Sequence, residues 1–385
     1  MSDTSQVQVR IYEEVSWGED PSTSNKMSDL NIVSADLKAE VRKKSSDVIR
    51  SDGNNKSISL IGKGASGSMG YELAHKELET IFAGLLRSDY STPLDVTAAT
   101  ISATDIGNTI DDSGSGFGDA VVGQWVRVSG FLGDPLNNGF AKVTAATAAQ
   151  LTLSAIDLSD EALGNPVTVE GRFLVNGIAE KSFLIEQQFS AADFEYFTGM
   201  EVVSCTFNFV LDDHVKVTSE WLGKEGFRAV TTQGDGSPNP AETTQSMGVV
   251  DALSFYIDNT LTVEDVVSFN VTATPVLRTQ NAITARGLAV GIGSGTFNVT
   301  GTLEVHNENN DLLSDMDGFE TKSLTVIVGD TDGNNIVLDF PACKLSDGTR
   351  AVPGQDQDVI TSIQFETLLD ETIAGQMGIT IIDAL

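Results

Sequence analysis

The chain has 385 residues, of which 40% are apolar and 20% charged. This length is enough for two or three domains with cores of their own. Its formal net charge of -32 excludes binding nucleic acid by neutralising phosphates, although an acidic wall could still enclose DNA without holding it. The sequence has no stretch of about eighteen apolar residues and starts with a polar, acidic segment, so we expect neither a membrane span nor a secretory signal.

The first strong pattern is a strand with two different faces. From residue 35 to residue 42 apolar side chains alternate with charged ones, and the charged ones are Asp36, Lys38, Glu40 and Arg42. This period of two predicts a half-buried strand whose charged face meets water, a channel or a neighbouring subunit. The polar stretch Asp47–Lys63 follows, and its turn signal Asp52-Gly53 predicts a long loop or an extended hairpin.

A single helix is predicted from His75 to Leu86. Its apolar side chains recur at helical spacing and form one stripe, at Leu78, Ile81, Phe82, Leu85 and Leu86. Arg87 follows at the C-terminal end, where a cation is favoured.

Residues 92–171 form a distinct block. Short runs rich in β-forming residues recur about every ten residues and are separated by Asn-Gly and Gly-Asp turns, which predicts a small β-barrel or sandwich. Its only basic residues are Arg127 and Lys142. Because its ends fall between elements of the surrounding region, we interpret it as a module inserted into a first domain made of residues 1–91 and 172–229.

The rest of the chain continues the β pattern. Residues 230–248 are rich in Gly, Pro, Ser and Thr and predict a linker, after which residues 249–385 form a second β domain. The two cysteines, Cys205 and Cys343, lie in apolar runs and are expected to be buried free thiols.

The two β regions resemble each other. An ungapped alignment that places Val48–Ser51 on Val276–Thr279 also places Ser66–Met69 on Ser294–Phe297. This predicts a duplication, so that three chains would form a ring of six domains with pseudo-sixfold symmetry, with a ring of six chains as the alternative. The charge is also divided, because residues 1–91 balance to -3 and the rest of the chain to -29, which favours contacts between like subunits through charge complementarity.

Motifs for chemistry are absent from the sequence. The histidines are not paired at metal-ligand spacing, and no nucleophile elbow or CxxC occurs. The stretch Asp330–Asn334 resembles a calcium loop but lacks its closing Glu, so a turn is favoured, with a cation at Asp330 and Asp332 as the open alternative. We therefore expect no enzyme.

The order of several motifs resembles that of tail tube proteins of long-tailed, siphovirus-type bacteriophages. The similarity covers nearly the whole chain outside residues 92–171. It is carried by Glu19-Asp20-Pro21, Leu30–Lys38, Ser46–Asp52, Gly64–Ser68, Phe197–Val202, Trp221–Lys224 and Leu338–Leu345.

This resemblance implies a mainly β fold, a tail-tube β-sandwich or barrel with a flanking helix. The sheets of neighbouring subunits would join into an inner barrel, and rings would stack into a tube through which double-stranded DNA is ejected without specific binding. The partners would be the chain itself, a tape measure protein, and tail terminator and tip proteins, with no cofactor, metal or membrane. The protein would reside in the virion tail after assembly in the host cytoplasm.

Two sets of site residues follow from the resemblance. The loop Asp47–Lys63 matches the family's inter-ring stacking loop, and the expected contacts between rings and subunits are Arg50, Asp52, Asn54, Asn55, Lys56 and Arg278. The candidate lumen-facing residues are Asp36, Lys38, Glu40 and Arg42. The inserted module would decorate the outside of the tube.

Two other classes compete with this interpretation. The inner tube of a contractile tail is the closer rival, although such proteins are usually shorter and lack inserted modules. A β-rich adhesin or carbohydrate-binding protein shares the acidic, Gly- and Thr-rich composition, but the missing secretory signal and the mid-chain helix argue against it.

Overall fold

The computed structural model describes residues 6–248, 252–262, 265–285, 287–306, 311–351, 354–355 and 357–385. The start of the predicted second domain, residues 249–251, lies outside them, as does Asp356. The first part of the chain forms β1 (Gln8–Glu13), β2 (Ser28–Leu30), β3 (Ser34–Ser45), β4 (Ile58–Glu72) and α1 (Glu79–Leu86). It continues after the module with β12 (Phe183–Ser190), β13 (Asp193–Val210), β14 (Lys216–Gly223) and β15 (Glu225–Ala229).

The module and the second β region supply the other elements. The module contains β5 (Leu94–Ala98), β6 (Ile101–Thr104), β7 (Thr109–Asp112), β8 (Trp125–Ser129), β9 (Gly139–Thr147), β10 (Gln150–Ser154) and β11 (Val167–Val175). The second region contains β16 (Ala252–Ile257), β17 (Thr260–Leu261), β18 (Val266–Asn281), β19 (Ala289–His306), α2 (Asp311–Gly318), β20 (Thr321–Gly329), β21 (Asn335–Arg350), β22 (Ile360–Thr367) and β23 (Gly378–Ile382).

The predicted mainly β fold is confirmed, and so is the helix, although it is shorter than predicted. It begins at Glu79 and not at His75, because Lys76 has a left-handed backbone with φ of 64°, which a right-handed helix cannot contain. Most of its residues are buried, as the apolar stripe requires. Arg87 ends it in the left-handed conformation with φ of 51°, a common way for a helix to stop.

The same pattern of antiparallel strand pairing occurs twice in the chain. In the first half the order is β2-β1-β12-β13-β14-β4-β3, and β15 also pairs with β13. In the second half the order is β17-β16-β20-β21-β22-β19-β18, and β23 also pairs with β21. In each half the helix follows the two hairpin strands along the chain and precedes the next strand of that half.

The strand register repeats as well. Ser34 lies opposite Gly70, and Ser268 lies opposite Glu304, so a single displacement along the chain carries both strands of the first hairpin onto those of the second. The β-bulge between Arg42 and Lys43 recurs between Pro275 and Leu277, the segment that contains Val276, the counterpart of Arg42. This structural alignment carries Val48 to Ala282, whereas the sequence alignment placed it on Val276. Because the side-chain period of a strand is two, an error of an even number of positions still places apolar on apolar residues.

The two halves share one sheet and one core. Strand β13 pairs with β18 from Cys205 opposite Ala273 to Val210 opposite Ser268, and we call this pairing the seam. The seam makes a continuous sheet of eight strands, in the order β3-β4-β14-β13-β18-β19-β22-β21. Below it the ring of Phe269 lies 5.7 Å from that of Phe209 in the first half and 5.6 Å from that of Phe365 in the second.

The segment 230–248, predicted as a linker, forms no strand but is fixed to the first half. Asn239 donates its backbone N–H to Met27 at 2.8 Å, and Met247 donates its own to Leu73 at 2.7 Å. The Met247 side chain is fully buried. The connection therefore contributes to the core and is not a free tether.

Residues 92–171 form their own layer around a separate apolar core, with strand order β6-β7-β10-β9-β8-β11-β5. Leu94 pairs with Gly171, so the chain enters and leaves the module at adjacent points. Strand β11 then continues and pairs with β23 through residues 172–175, which ties the module to the second half although it is inserted into the first.

Polar contacts fix this docking. The Trp125 indole N–H donates to Asp339 at 3.1 Å, and the Lys142 ammonium lies 2.8 Å from the same carboxylate. Arg127 binds Glu170 within the module and donates to the Gly333 carbonyl at 2.6 Å. Both basic residues of the module are thus used where it meets the second half.

Candidate assembly surfaces

One face of the eight-stranded sheet packs on the core and the other is polar. The four residues predicted to line a channel, Asp36, Lys38, Glu40 and Arg42, all lie on the polar face of β3, because their neighbour Leu37 is buried on the opposite face. Glu40 accepts a hydrogen bond from the Ser66 hydroxyl on β4 at 2.5 Å. These charged residues therefore occupy one edge of a wider polar surface.

The rest of that surface consists of hydroxyl and amide side chains, which were not predicted from the sequence. A row of threonines crosses the sheet at one level, formed by Thr218, Thr206, Thr272 and Thr300. Thr206 and Thr272 face each other across the seam, and their hydroxyls are 2.9 Å apart. The alternating Thr and Asn residues of β13 and β18 were a signal for it, but their common level depends on the seam.

The charges on this face are mixed in sign and concentrated in the first half. The structural repeat carries Asp36 to Asn270 and Lys38 to Thr272, so the second half has neutral side chains at these positions. Its carboxylates on the same face come from Glu304 on β19 and from Glu366 on β22, which lies opposite Thr300. The polar face is consequently neither uniformly acidic nor basic.

The hairpin of β3 and β4 ends in an exposed tip at residues 46–57. Arg50 donates to Asp52 through Nε at 3.0 Å and through Nη2 at 2.6 Å. This hydrogen-bonded guanidinium lowers the pKa of Asp52 to about 2. Asn54 adds a backbone N–H to the same carboxylate at 3.2 Å, and Gly53 makes the turn with φ of 69°.

The tip thus brings together three of the predicted contact residues, Arg50, Asp52 and Asn54. Asn55 and Lys56 follow them and are exposed. Arg278 is not part of this group, because it lies on β18 in the second hairpin, opposite Gly293.

The tip of the second hairpin rests on the first hairpin. The Gly287 carbonyl accepts the backbone N–H of Lys63 at 3.1 Å and the Arg42 guanidinium at 3.2 Å. Gly287 has φ of 89°, and a Cβ added there would lie 2.6 Å from the Ile61 carbonyl oxygen, so only glycine allows this approach. Arg42 therefore joins the two hairpins in addition to lying on the polar face.

Apolar side chains are unusually exposed along the first hairpin. Val41 is 66% exposed and Ile49 is 96% exposed, and the further members of this group are Val48, Ile58, Leu60 and Ile61. Several exposed apolar side chains on one hairpin are typical of a surface that binds another molecule. Beside β3 a groove of about 490 Å³ is lined by Leu37, Ala39 and Val41 from the strand and by Phe197 and Phe227 from below.

Both ends of the eight-stranded sheet lack a strand neighbour within the described residues. Strand β3 pairs only with β4, and β21 beyond Lys344 pairs only with β22. Unpaired sheet edges readily add another strand. The chain thus presents two edges that can each receive a strand from another copy.

In the part of the chain that the structure describes, no group of three acids, histidines or cysteines is placed to hold a metal ion. The turn at Asp330 uses its carboxylate internally, because the backbone N–H groups of Asp332 and Asn334 donate to it at 3.0 and 2.9 Å. Cys205 and Cys343 are buried free thiols, and burial raises the pKa of Cys205 to about 12.

Neither helix of the described residues is long and apolar enough to cross a membrane. Comparison with known proteins gives one family. The family model described as phage tail tube protein matches residues 4–367, which include the inserted module, the first repeat of the strand pattern and the second repeat through β22. No curated protein matches the chain.

Proposed function

The chain belongs to the phage tail tube family, and from that premise we propose that three copies close into a ring whose polar sheet face lines a conduit for double-stranded DNA. The family is structural and not enzymatic, and its members self-assemble into the tube of the virion tail. The seam between β13 and β18 supports the ring, because it shows within one chain how two successive halves join.

The proposed contact between chains is a copy of the seam. In the repeated pattern β18 corresponds to β3, and β13 corresponds to β21. The two strands whose counterparts form the seam are therefore the two open edges of the sheet. Pairing β21 of one chain with β3 of the next repeats the seam at each boundary and leaves no open edge in the closed ring.

The register of this contact follows from the repeat. Glu201 on β13 lies opposite Leu222 as Lys344 on β21 lies opposite Glu366, so Lys344 is the counterpart of Glu201. Counting forward equally from both, Cys205 corresponds to Gly348, while the hairpin repeat makes Ala273 the counterpart of Ala39. We place Gly348 of one chain opposite Ala39 of the next, in antiparallel pairing.

The strand number favours three chains over six. Eight strands per chain at a spacing of about 4.8 Å give a circumference of about 115 Å for three chains, hence a barrel about 37 Å across between backbones before strand tilt widens it. The side chains that point inward reduce the inner diameter of the barrel towards the width of a DNA duplex. A ring of six chains would be about twice as wide, which leaves DNA unguided.

The polar face suits passage of DNA without capture. Its threonine and asparagine side chains carry no charge, and its basic residues on β3, Lys38 and Arg42, alternate with the acidic residues Asp36 and Glu40. Phosphates would therefore meet no continuous row of cations to bind. These four residues remain our proposed lumen-facing set on β3.

The exposed tip of the first hairpin is suited to contact the adjacent ring. Its side chains, Arg50, Asp52, Asn54, Asn55 and Lys56, together with Arg278 of the second hairpin, are the proposed contacts between rings and subunits. A tape measure protein would occupy the growing lumen, and terminator and tip proteins would bind the tube ends. Assembly would take place in the host cytoplasm before the tail joins the virion.

We assign the tube to a siphovirus-type tail and not to a contractile one, on the length of the chain and its inserted module. A sheath gene adjacent to the gene for this chain would contradict that assignment. Negative-stain microscopy of the purified chain tests the tube itself. We expect hollow tubes of regular ring spacing, whereas a stable monomer at high concentration would contradict the proposal, and specific retention on glycans would favour the adhesin.

A further inference from the structure

Helix α1 lies beneath the seam. It contacts both strands of that pairing, β13 and β18, and the ring of Phe82 packs 5.6 Å from that of Phe207. Phe207 lies directly opposite Val271 in the seam, and all three side chains are buried. The helix that follows the first hairpin thus covers the junction between its own half and the next one.

Helix α2 has the same place in the second half, beneath the open end of β21. Leu313 and Met316 surround Gly348, where an added Cβ would lie 2.6 Å from Leu313 Cδ2, and the Gly348 N–H points to Met316 Sδ at 2.9 Å. Gly348 is the counterpart of Cys205, which begins the seam. Leu313 and Met316 are only half-buried, unlike the apolar residues of α1.

The groove beside β3 shows what is missing in the isolated chain. In the second half Ala273 and Pro275 are buried beside the seam that α1 covers. Their counterparts Ala39 and Val41 are exposed, and they line the groove of about 490 Å³. The same apolar surface is thus covered once within the chain and left open once.

We infer that α2 of one chain docks into the β3 groove of the next chain, as α1 covers the corresponding surface of β18. This inference rests on the proposed ring and adds the helix to its strand contact. The occupant is a second copy of this chain, because the open end of β21 and the groove meet only when two copies pair. The groove is lined by two cations, Lys38 and Arg228, and by one carboxylate, Glu195, with which Arg228 pairs at 2.8 Å. The exposed Asp317 of α2 agrees with this excess of positive charge.

Chemical cross-linking tests this contact. Val41→Cys and Met316→Cys are introduced together and treated with a short bis-maleimide on assembled tubes; both native thiols are buried. Within one chain β3 and β21 lie at opposite edges of an eight-stranded sheet, about 30 Å apart, so a link reports two chains. We expect covalent products that end at three chains. The matched control pairs Val41→Cys with Ile106→Cys on the exposed face of the module and should remain uncoupled.

The outcomes separate the inference from the ring. Tubes that form but give no more coupling than the control would overturn the helix docking and leave the ring standing, whereas failure of the unmodified chain to form tubes would overturn both. As a second variant, Val41→Asp places a carboxylate in the groove at a position that is exposed in the single chain. We expect an unchanged melting temperature but at least a tenfold loss of tubes, while Val41→Ile retains them. Normal assembly of Val41→Asp would contradict the docking.

Discussion

Cys205 lies directly opposite Ala273 in the seam between the two halves, whereas Ala39, the counterpart of Ala273, pairs with β4 and with no other strand among the described residues. One junction of the repeated fold is therefore closed inside the polypeptide, and an equivalent one is left open at its ends. In the proposed ring, the contact between chains repeats the geometry of this buried seam.

Replacing Ala39 by proline should prevent ring closure without unfolding the chain. Lys63, opposite Val41, sends its N–H away from β3 to Gly287, so alternation of the ladder turns the N–H groups of Val41 and Ala39 outward. Proline removes that outward donor and is tolerated on edge strands. Circular dichroism should remain unchanged and tubes should disappear by electron microscopy. Ala39→Ser keeps the donor and should assemble, and tubes of Ala39→Pro would exclude this edge.

Phe269→Ala should destabilise both halves together. The ring of Phe269 is buried among those of Phe209, Phe255, Phe340 and Phe365, at centroid distances of 5.3 to 6.1 Å. Removing it should lower the free energy of unfolding by about 3–5 kcal/mol. Chemical denaturation should show one cooperative transition that moves as a whole. Phe227→Ala, which removes a half-buried ring, should cost less; two separate transitions would show that the halves fold independently.

Asp339→Asn should loosen the module from the second half. Asp339 is 1% exposed, and the variant leaves the Lys142 ammonium buried without its counter-charge, at a cost of about 3 kcal/mol. We expect faster proteolysis of the connections near residues 92 and 171, measured with unchanged cleavage of the hairpin tip as reference. Adding Lys142→Met removes the isolated charge and should recover part of the lost free energy. Additive losses in the double variant would show that the two side chains are not coupled.

The carboxyl of Glu201 should make the unassembled chain less stable as the pH rises towards neutrality. Burial raises the pKa of Glu201 to about 7 from its ordinary value of 4.5, against the opposing effect of Arg87, which donates to it at 2.7 Å. Between those two pH values the unfolded chain releases a proton that the folded chain retains, so the contribution to stability is full below pH 4.5 and is lost towards pH 7.

As the pH rises over that interval, the free energy of unfolding of Glu201→Gln should therefore increase relative to that of the unmodified chain, as measured by denaturant unfolding at several pH values. Parallel pH profiles of the two proteins would contradict the raised pKa. Glu161→Gln serves as a comparison, because the pKa of Glu161 is shifted in the opposite direction. Burial opposes ionisation of that group, but backbone N–H donors from Gly133 and Asp134 outweigh it and lower the pKa of Glu161 to about 2 from 4.5. Its contribution is lost only as the pH falls below that ordinary value.

Local patterns could be predicted from the sequence because they depend on short spacings. Alternation gave the two faces of β3, and helical spacing gave α1 except for its first turn, which the backbone of Lys76 interrupts. Turn signals placed the module so that its predicted ends adjoin the paired residues Leu94 and Gly171.

Long-range relations could not be predicted in this way. The repeat was misaligned by an even number of positions because alternation cannot distinguish even displacements. The docking of Trp125 on Asp339 joins two distant parts of the chain, and the threonine row across Thr206 and Thr272 exists only because β13 meets β18. Such contacts are fixed by the packing of distant strands, for which a single sequence carries no spacing signal.

The number of chains in one ring tests the central claim most directly. Image reconstruction of the tubes, supported by the mass of isolated rings, should show three chains whose six similar halves form one continuous inner barrel. In each ring three seams should lie within chains and three between them, the latter pairing β21 with β3. A ring of six chains, or a ring whose inner barrel omits the second half, would contradict this account.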